Sequence, residues 1–224
     1  MWIFGYGSLL WYTDFPYRNV IPGIVRGYSR RFWQLSPDHR GTTSSVGSFS
    51  RHPGRTVTLV ADENGSCWGL AYEVAEEQAS DTIKYLDVRE KAGYLMSLLF
   101  NELIFLRLKR KEMMFYPDNG SPLFPINVYL AAEEQNPYFT GPTDERSIVH
   151  TVLKARGPSG TNIEYVLRLA ECIHRMAPHI NDEHLFSIER KVLDGCRQLN
   201  IHDDYLANYP IQNGKYRTES LTKL

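Results

Sequence analysis

The hydrophobic pattern is strand-like through the first third of the chain. An apolar run over Trp2–Gly5 predicts a short buried strand, and a second β-like stretch follows at 23–33. Residues 55–60 and 67–74 each alternate with period two, on either side of an Asn64-Gly65 turn signal. These last two segments therefore predict a β-hairpin.

Helical spacing appears at 75–88, where acidic residues begin a short segment, and it dominates after one more predicted strand at 126–131. One helix should begin near Thr143. Two more are predicted at about 162–176 and 182–193, each with apolar residues on one face. Strands early and helices late predict an α+β domain rather than a repeated βαβ unit.

The end of the chain is more polar than the rest. After Leu199 few large aliphatic residues remain, so little apolar surface is available to offset the entropy of ordering the backbone. We therefore expect one domain over 1–199, followed by a polar and loosely ordered tail over 200–224.

Charge and cysteine content narrow the class of partner. With 224 residues and a net charge of −1, the chain lacks the charge excess that steers proteins to nucleic acid or anionic membranes, so a small-molecule substrate is expected. Cys67, Cys172 and Cys196 are far apart, which indicates no disulfide framework and favours a reducing, cytosolic location. Neither a signal peptide nor a transmembrane segment is predicted. The oligomeric state is left open.

Alternating glycines follow the first predicted strand, in Phe4-Gly5-Tyr6-Gly7-Ser8-Leu9. Glycine tolerates the close approach of other atoms, so such a loop can turn several backbone N–H groups toward one point and hold a carboxylate or an oxyanion. A nucleotide-binding loop is disfavoured, because the third glycine and the following helix of that fingerprint are missing. A plain tight turn is the alternative.

Two charged segments are further candidates. Residues 85–94 place Glu90 among charged and aromatic residues just past a predicted helix, either as a functional carboxylate or as part of a solvated helix end. The segment Asp38-His39-Arg40-Gly41 is either a substrate clamp or a turn with local hydrogen bonds.

Metal binding and covalent catalysis are disfavoured. His174, His179 and His184 recur every five residues, a spacing that does not bring them to one face of a helix, so no metal site is predicted. Ser8 follows a strand but lacks the helix that a nucleophile elbow requires.

Taken together and in this order, these segments resemble the ChaC family of γ-glutamylcyclotransferases. The resemblance is greatest to its glutathione-specific members and, among them, to the shorter, second type of cation transport regulator-like protein. The matching segments are Phe4–Leu9, Tyr28–Gln34, Asp38–Gly41, Pro53–Arg55, Trp68-Gly69, Tyr85–Lys91, Gly157–Gly160 and Asp182–Phe186. Their joint occurrence is far more specific than any one of them.

The resemblance implies a γ-glutamylcyclotransferase-like fold, a small mixed barrel-like sheet with flanking helices, that works without a metal or an organic cofactor. It assigns catalysis to Glu90. It assigns substrate binding to the glycine loop, which here comprises Ile3, Phe4, Gly5, Tyr6, Gly7, Ser8 and Leu9. Further possible substrate contacts are Asp38, Arg40, Tyr94 and Tyr138.

The implied reaction is the cleavage of reduced glutathione to 5-oxoproline and Cys-Gly. The γ-glutamyl amine attacks its own γ-carbonyl carbon, so proximity is built into the substrate, and one carboxylate serves as general base and then general acid. Two alternatives remain. The chain would act on other γ-glutamyl peptides or γ-glutamylamines, or it would be a non-catalytic regulatory module that binds a γ-glutamyl group.

Three segments depart from the family pattern. Residues 44–51 form an addition of small polar residues, and 95–111 form an addition that is first apolar and then basic. The second addition should pack on the domain or form an interface, because its apolar side chains would otherwise make an aggregation-prone patch. The family's Tyr-Leu-Gly-Pro appears here as Tyr138-Phe139-Thr140-Gly141-Pro142, so either Tyr138 or Phe139 occupies the position of the family tyrosine.

Overall fold

In a computed structural model of the chain, five strands close into a barrel. The structure describes residues 1–37, 39–41, 53–89, 108–134, 136–212 and 215–216. The barrel strands are β1 (Trp2–Gly5), β2 (Asn19–Ser36), β3 (Gly54–Glu73), β4 (Leu108–Pro117) and β5 (Phe124–Ala131). Their order is β1-β3-β2-β4-β5, and β5 closes the barrel by pairing parallel to β1, whereas the other pairs are antiparallel. The sheet is therefore mixed, as the resemblance implies.

Helices and two short strand pairs complete the described part of the chain. The helices are α1 (Glu76–Arg89), α2 (Glu145–Lys154), α3 (Asn162–Met176), α4 (Glu183–Gln198) and α5 (Asp204–Ala207). The short pairs are β6 (Arg156–Gly157) with β7 (Gly160–Thr161), and β8 (Ile211–Gln212) with β9 (Lys215–Tyr216). The α+β prediction and the four predicted helices are confirmed. Asp144, Thr161 and Asp182 begin α2, α3 and α4, each with a side-chain oxygen that accepts a backbone N–H of the first turn.

The hairpin predicted at 55–74 is wrong, because both of its halves belong to the single strand β3 and pair with β2. The paired residues on β3 jump from Ala61 to Ser66, so that residues 62–65 bulge out opposite Gly27. The φ angle of Gly27 is +79°, a conformation that glycine adopts without steric cost. The Asn64-Gly65 turn signal therefore corresponds to a bulge within one strand and not to a turn between two strands.

Strand β4 was not predicted, and it takes in the end of the addition assigned to 95–111. Residues 108–111 pair with residues 128–131 of β5, which places this part of the addition in the barrel wall. The remainder of that addition and the whole of 44–51 lie outside the described residues.

Apolar side chains form two main clusters. The barrel interior contains buried side chains from all five strands, including Phe4, Val25, Leu59, Phe115 and Ile126. A larger cluster joins α2, α3 and α4 to the outer face of the barrel through Phe32 and Trp68. Burying each such side chain stabilises the fold by about 1.5–3 kcal/mol, so the helices are bound to the barrel as one core.

Part of the predicted tail packs on the domain. The side chain of Tyr209 is 4% exposed, and its hydroxyl donates a hydrogen bond to Glu189 of α4 at 2.7 Å. Thr161 donates to the carboxylate of Asp203 at 2.6 Å. Asp203 and Tyr209 are thus hydrogen-bonded to the domain, whereas the loosely ordered tail and the domain boundary at Leu199 stay predictions.

Some site types can be assessed over the described residues. No helix there is long and apolar enough to cross a membrane. Nowhere in the same ranges do three or more His, Cys, Asp or Glu side chains form a group that would hold a metal ion. Cys67, Cys172 and Cys196 are all buried and carry free thiols.

Candidate active site

A cavity of about 590 Å³ lies between one end of the barrel and helices α1 and α3. This volume is within the range of about 300–1,000 Å³ that is typical of small-molecule sites. Its described lining combines the glycine loop, the ends of several barrel strands, and side chains of both helices: Phe4, Tyr6, Gly7, Ser8, Leu9, Trp11, Tyr12, Asp14, Gln34, Leu35, Ser36, His39, Arg40, Thr56, Val57, Thr58, Tyr85, Leu86, Tyr129, Ala131, Ser159, Glu164, Tyr165 and Arg168.

The glycine loop forms one wall. After β1 the chain enters a 3-10 turn over Ser8–Leu10, in which the N–H of Leu10 donates to the carbonyl of Gly7 at 3.0 Å. The hydroxyl of Tyr6 donates to the carbonyl of Tyr129 at 2.7 Å, which fastens the loop to β5. The hydroxyl of Tyr72, on β3, donates to the carbonyl of Leu9 at 2.6 Å. The loop is therefore anchored at both of its ends.

Most of the predicted loop residues reach the cavity. Phe4, Tyr6, Gly7, Ser8 and Leu9 belong to the described lining, whereas Ile3 and Gly5 do not. Ile3 is fully buried in the apolar cluster behind the loop. At Gly5 a Cβ atom would lie 2.7 Å from the Cβ of Leu9, so this glycine permits the tight packing of the loop on itself.

Arg40 belongs to a charged cluster on a second wall, which adjoins the glycine loop through Tyr165. Its guanidinium donates to the carbonyl of Thr161 at 3.0 Å and to the carboxylate of Glu164 at 3.2 Å, and its carbon lies 5.5 Å from the centre of the Tyr165 ring. The other carboxylate oxygen of Glu164 is 2.8 Å from Nε of Arg168. One carboxylate thus lies between two guanidiniums, and this wall carries a net positive charge.

The glycine-rich turn between β6 and β7 makes this cluster possible. At Gly160, whose φ is +112°, a Cβ atom would be 2.2 Å from the Glu164 carboxylate and 2.9 Å from the Arg40 guanidinium. At Gly157 it would be 2.2 Å from the carbonyl oxygen of His39. The Gly157–Gly160 segment, which is one of those that carry the family resemblance, therefore packs against the Arg40 loop and leaves room for the ion pairs.

Helix α1 closes a third side. Tyr85 and Leu86 line the cavity, and the Tyr85 hydroxyl donates to the carboxylate of Asp14. Glu90 follows this helix directly in the sequence, but it lies outside the described residues, as do Asp38 and Tyr94. Their predicted roles stay predictions.

Tyr138 adjoins the wall through its backbone. Its carbonyl accepts a hydrogen bond from the N–H of Leu35 at 2.8 Å, and the next residue, Phe139, forms an isolated bridge with Gln34. Both partners line the cavity, whereas the described lining includes neither Tyr138 nor Phe139. The substrate contact predicted for Tyr138 therefore stays a prediction.

Several lining residues were not predicted. Glu164 and Arg168 are four residues apart on α3, a spacing that places opposite charges on one face of a helix. That spacing was the signal available in the sequence. Tyr129, on β5, also lines the cavity, and burial, followed by the charge of Asp87, raises its pKa to about 12. It is therefore neutral near pH 7, so the charge of the described wall comes from the arginines and carboxylates.

Several known proteins are similar to this chain in sequence and in fold. A family model described as ChaC-like protein matches residues 1–194. A Homo sapiens protein named glutathione-specific gamma-glutamylcyclotransferase 1 is 44% identical over 191 residues, which are 84% of this chain and 76% of the human one. A Danio rerio protein of the same name is 38% identical over 202 residues, covering 89% of this chain and 92% of that one.

A crystal structure of the glutathione-specific γ-glutamyl cyclotransferase from yeast superimposes with a TM-score of 0.69 at 26% identity, over 87% of this chain and 98% of the yeast chain. The fold implied by the resemblance is thereby confirmed. The vertebrate relatives carry the designation 1, so the resemblance to the second type stays a prediction.

Proposed function

Because the chain belongs to the ChaC-like protein family, we propose that it is a γ-glutamylcyclotransferase that cleaves reduced glutathione to 5-oxoproline and Cys-Gly. One observation carries this proposal beyond family membership. The anchored glycine loop and a cluster in which the guanidiniums of Arg40 and Arg168 share the Glu164 carboxylate line the same cavity of about 590 Å³. The γ-glutamyl end of a peptide substrate would contact the glycine loop, and its other end would contact the charged cluster.

The chemistry needs no second reactant. The α-amine of the γ-glutamyl residue bonds to the γ-carbonyl carbon, the amide bond to cysteine breaks, and the amine proton is finally carried to the departing Cys-Gly nitrogen. The protein then has to fold the residue toward a five-membered ring, which is mainly a matter of positioning. Backbone N–H groups of the glycine loop would hold its carboxylate and the oxygen on which negative charge develops.

Glu90 is our candidate for moving the proton. Its assignment is supported by the resemblance, and by the fact that Tyr85 and Leu86 of the helix immediately preceding it line the cavity. An ordinary glutamate has a pKa of about 4.3 and an α-amine one near 8, so an effective base here needs a raised pKa. Aromatic side chains along the cavity would exclude water and act in that direction.

We further propose a cytosolic enzyme that uses no metal or organic cofactor. A reducing compartment is supported by the three free thiols of Cys67, Cys172 and Cys196. Burial raises the pKa of each of these thiols to about 11, so they stay protonated and unreactive near pH 7.

The direct test is to incubate the purified full-length chain with reduced glutathione and to follow 5-oxoproline and Cys-Gly by mass spectrometry. The two products should appear in equal amounts, without free glutamate. Release of glutamate instead of 5-oxoproline would identify a hydrolase. Glutathione binding without either product would support the regulatory-module alternative.

Substrate choice is tested by adding γ-glutamyl amino acids and γ-glutamylamines to the same assay. Turnover of these compounds at a rate comparable to that of glutathione would support the broader cyclotransferase alternative. A strong preference for glutathione is the expected result.

The acid/base assignment is tested with Glu90→Gln, which keeps the size of the side chain and removes the proton acceptor. We expect turnover to fall by about 10²- to 10⁴-fold, the usual contribution of a general acid/base. Glu76→Gln is the matched control, because Glu76 is exposed in the first turn of the preceding helix. A folded Glu90→Gln variant within about threefold of the parent rate would exclude Glu90 as this base.

A further inference from the structure

Residues 203–209 contact the wall of the cavity although they lie beyond residue 194, where the match to the family ends. Asp203 accepts a hydrogen bond from Thr161, which caps α3 and whose carbonyl accepts from Arg40. This C-terminal stretch is therefore joined to the charged wall of the candidate active site by two consecutive hydrogen bonds.

A second contact is made to the cavity lining itself. The guanidinium carbon of Arg168 lies 4.8 Å from the centre of the Tyr205 ring, the range of a cation–π contact. The Tyr205 hydroxyl in turn donates to Glu171, on the next turn of α3. The ring thus lies against Arg168 and is itself fixed to the helix that carries this arginine.

Arg168 shares its ion-pair partner with Arg40. Glu164, its ion-pair partner, also contacts Arg40, so a single carboxylate serves two guanidiniums. The Arg168 side chain is 39% exposed and borders the cavity, so an additional anion can reach it. A planar guanidinium recognises carboxylates well, because its N–H donors match the two oxygens.

We propose that Arg168 is a specificity-determining residue that binds the carboxylate at the far end of a γ-glutamyl peptide, and that Tyr205 is the positioning residue that holds Arg168. This inference rests on the proposed function. When the glycine loop binds the γ-glutamyl end, the remainder of the peptide extends away from the loop and, in glutathione, ends in a glycine carboxylate. The positive wall attracts this group and repels the α-ammonium, which fixes the direction in which the substrate lies.

The test compares glutathione with its C-terminal amide, which lacks the distal carboxylate but keeps the reacting end. With the parent protein, KM should be about tenfold higher for the amide, the lower end of the range for a hydrogen bond to a charged group, because Arg168 is partly exposed. Turnover at saturation should differ by less than about twofold, since the lost contact is remote from the reacting bond.

Arg168→Gln should abolish this discrimination. KM for glutathione should rise about tenfold while KM for the amide stays nearly unchanged. Arg197→Gln is the matched control, because Arg197 is exposed on α4 in an ion pair with Asp194 and should keep the parent's preference. If Arg168→Gln does not fold, Arg168→Lys, which keeps the charge but not the fork of donors, should show a partial loss of the same preference.

Tyr205 is tested by the same ratio of KM values. Tyr205→Leu removes the ring and should reduce the preference for glutathione over the amide, whereas Tyr205→Phe keeps the ring and should retain it. A purely structural role of Tyr205 would lower the melting temperature of both variants without changing the ratio, and that result would overturn its positioning role.

The remaining outcomes separate this proposal from the proposed function. Absence of 5-oxoproline from either substrate with the parent protein would reject the cyclotransferase function itself. Formation of 5-oxoproline with equal KM values for acid and amide would leave that function intact and overturn the role of Arg168. An equal rise of both KM values in Arg168→Gln would also overturn it, because the arginine would then bind something other than the distal carboxylate.

Discussion

The buried ion pair between Arg30 and Asp182 offers the sharpest test of how the helices are fastened to the barrel. Arg30 lies on β2 and is only 2% exposed, and its guanidinium donates to Asp182 at 2.8 Å and to the carbonyl of Trp68 at 2.5 Å. Asp182 also caps α4 by accepting the N–H of Leu185 at 3.1 Å. Asp182→Asn keeps the size of the side chain, removes its charge and leaves one accepting oxygen, which can serve either the cap of α4 or Arg30.

The expected loss of stability is large because Arg30 cannot escape its burial. Burial alone would lower the pKa of Arg30, yet Cys67 and the Asp182 carboxylate hold this pKa above its ordinary value. Arginine stays protonated in proteins, so the variant leaves a buried cation without its counter-ion. Breaking a buried pair in this way costs about 3–5 kcal/mol, and we expect about 3 kcal/mol because asparagine can still accept one hydrogen bond.

For a domain of this size, about 3 kcal/mol corresponds to a decrease of about 6–12 °C in Tm. Urea unfolding and thermal unfolding of the parent and of Asp182→Asn measure the loss. The control is Asp194→Asn, which breaks an exposed ion pair with side chains 57% and 66% exposed and should cost less than about 1 kcal/mol. A loss below about 1 kcal/mol in Asp182→Asn, with an unchanged urea m-value, would refute the view that the pair compensates a buried charge.

Two further predictions concern pH and the C-terminal stretch. Burial lowers the pKa of His184, whose Nε2 accepts the N–H of Phe32 at 3.2 Å. The unfolded chain therefore binds a proton at His184 more readily than the folded protein does. The free energy of unfolding should consequently fall as the pH drops below about 6.5. Urea unfolding at pH 7.5 and 5.5 should show a smaller difference in His184→Gln, and an identical difference would assign the effect to other groups. Removing all residues after Leu199 should lower Tm by several degrees, because the buried Tyr209 and its hydrogen bond to Glu189 are lost. An unchanged Tm would support the loosely ordered tail expected from composition.

The hydrophobic pattern predicted the helices better than the strand pairing. Caps and apolar stripes are local, so α3 and α4 could be assigned from residues a few positions apart. The partner of β3 is selected by the whole barrel, and a local turn signal at 64–65 could not show that both halves of this strand pair with β2. The polar composition after Leu199 likewise did not predict that Tyr209 packs on the domain. A single buried aromatic side chain with a hydrogen bond attaches this stretch, although most of its other residues are polar.

The candidate site was predictable where a short motif carries its own geometry. The glycine loop reaches the cavity through residues such as Gly7 and Ser8, and Arg40 also lines it. Glu164 and Arg168 escaped prediction because a charged pair on a helix usually faces solvent. In the structure this pair lines the cavity, where the turn containing Gly160 packs against the Arg40 loop.

Several residues that carry the family resemblance have structural partners outside the cavity lining. Arg30 and Asp182 join the barrel to α4, and the backbone of Arg55 exchanges two hydrogen bonds with the side chain of Asn162, at 2.5 and 2.8 Å. Such contacts stabilise the fold whether or not the protein turns over a substrate. Part of the family resemblance therefore reflects packing, and part of it reflects the cavity. The choice between an enzyme and a binding module depends on the smaller set of residues that face the cavity. The number of matching motifs therefore cannot decide between these two functions. The turnover of Glu90→Gln and the ratio of KM values for glutathione and its amide in Arg168→Gln can.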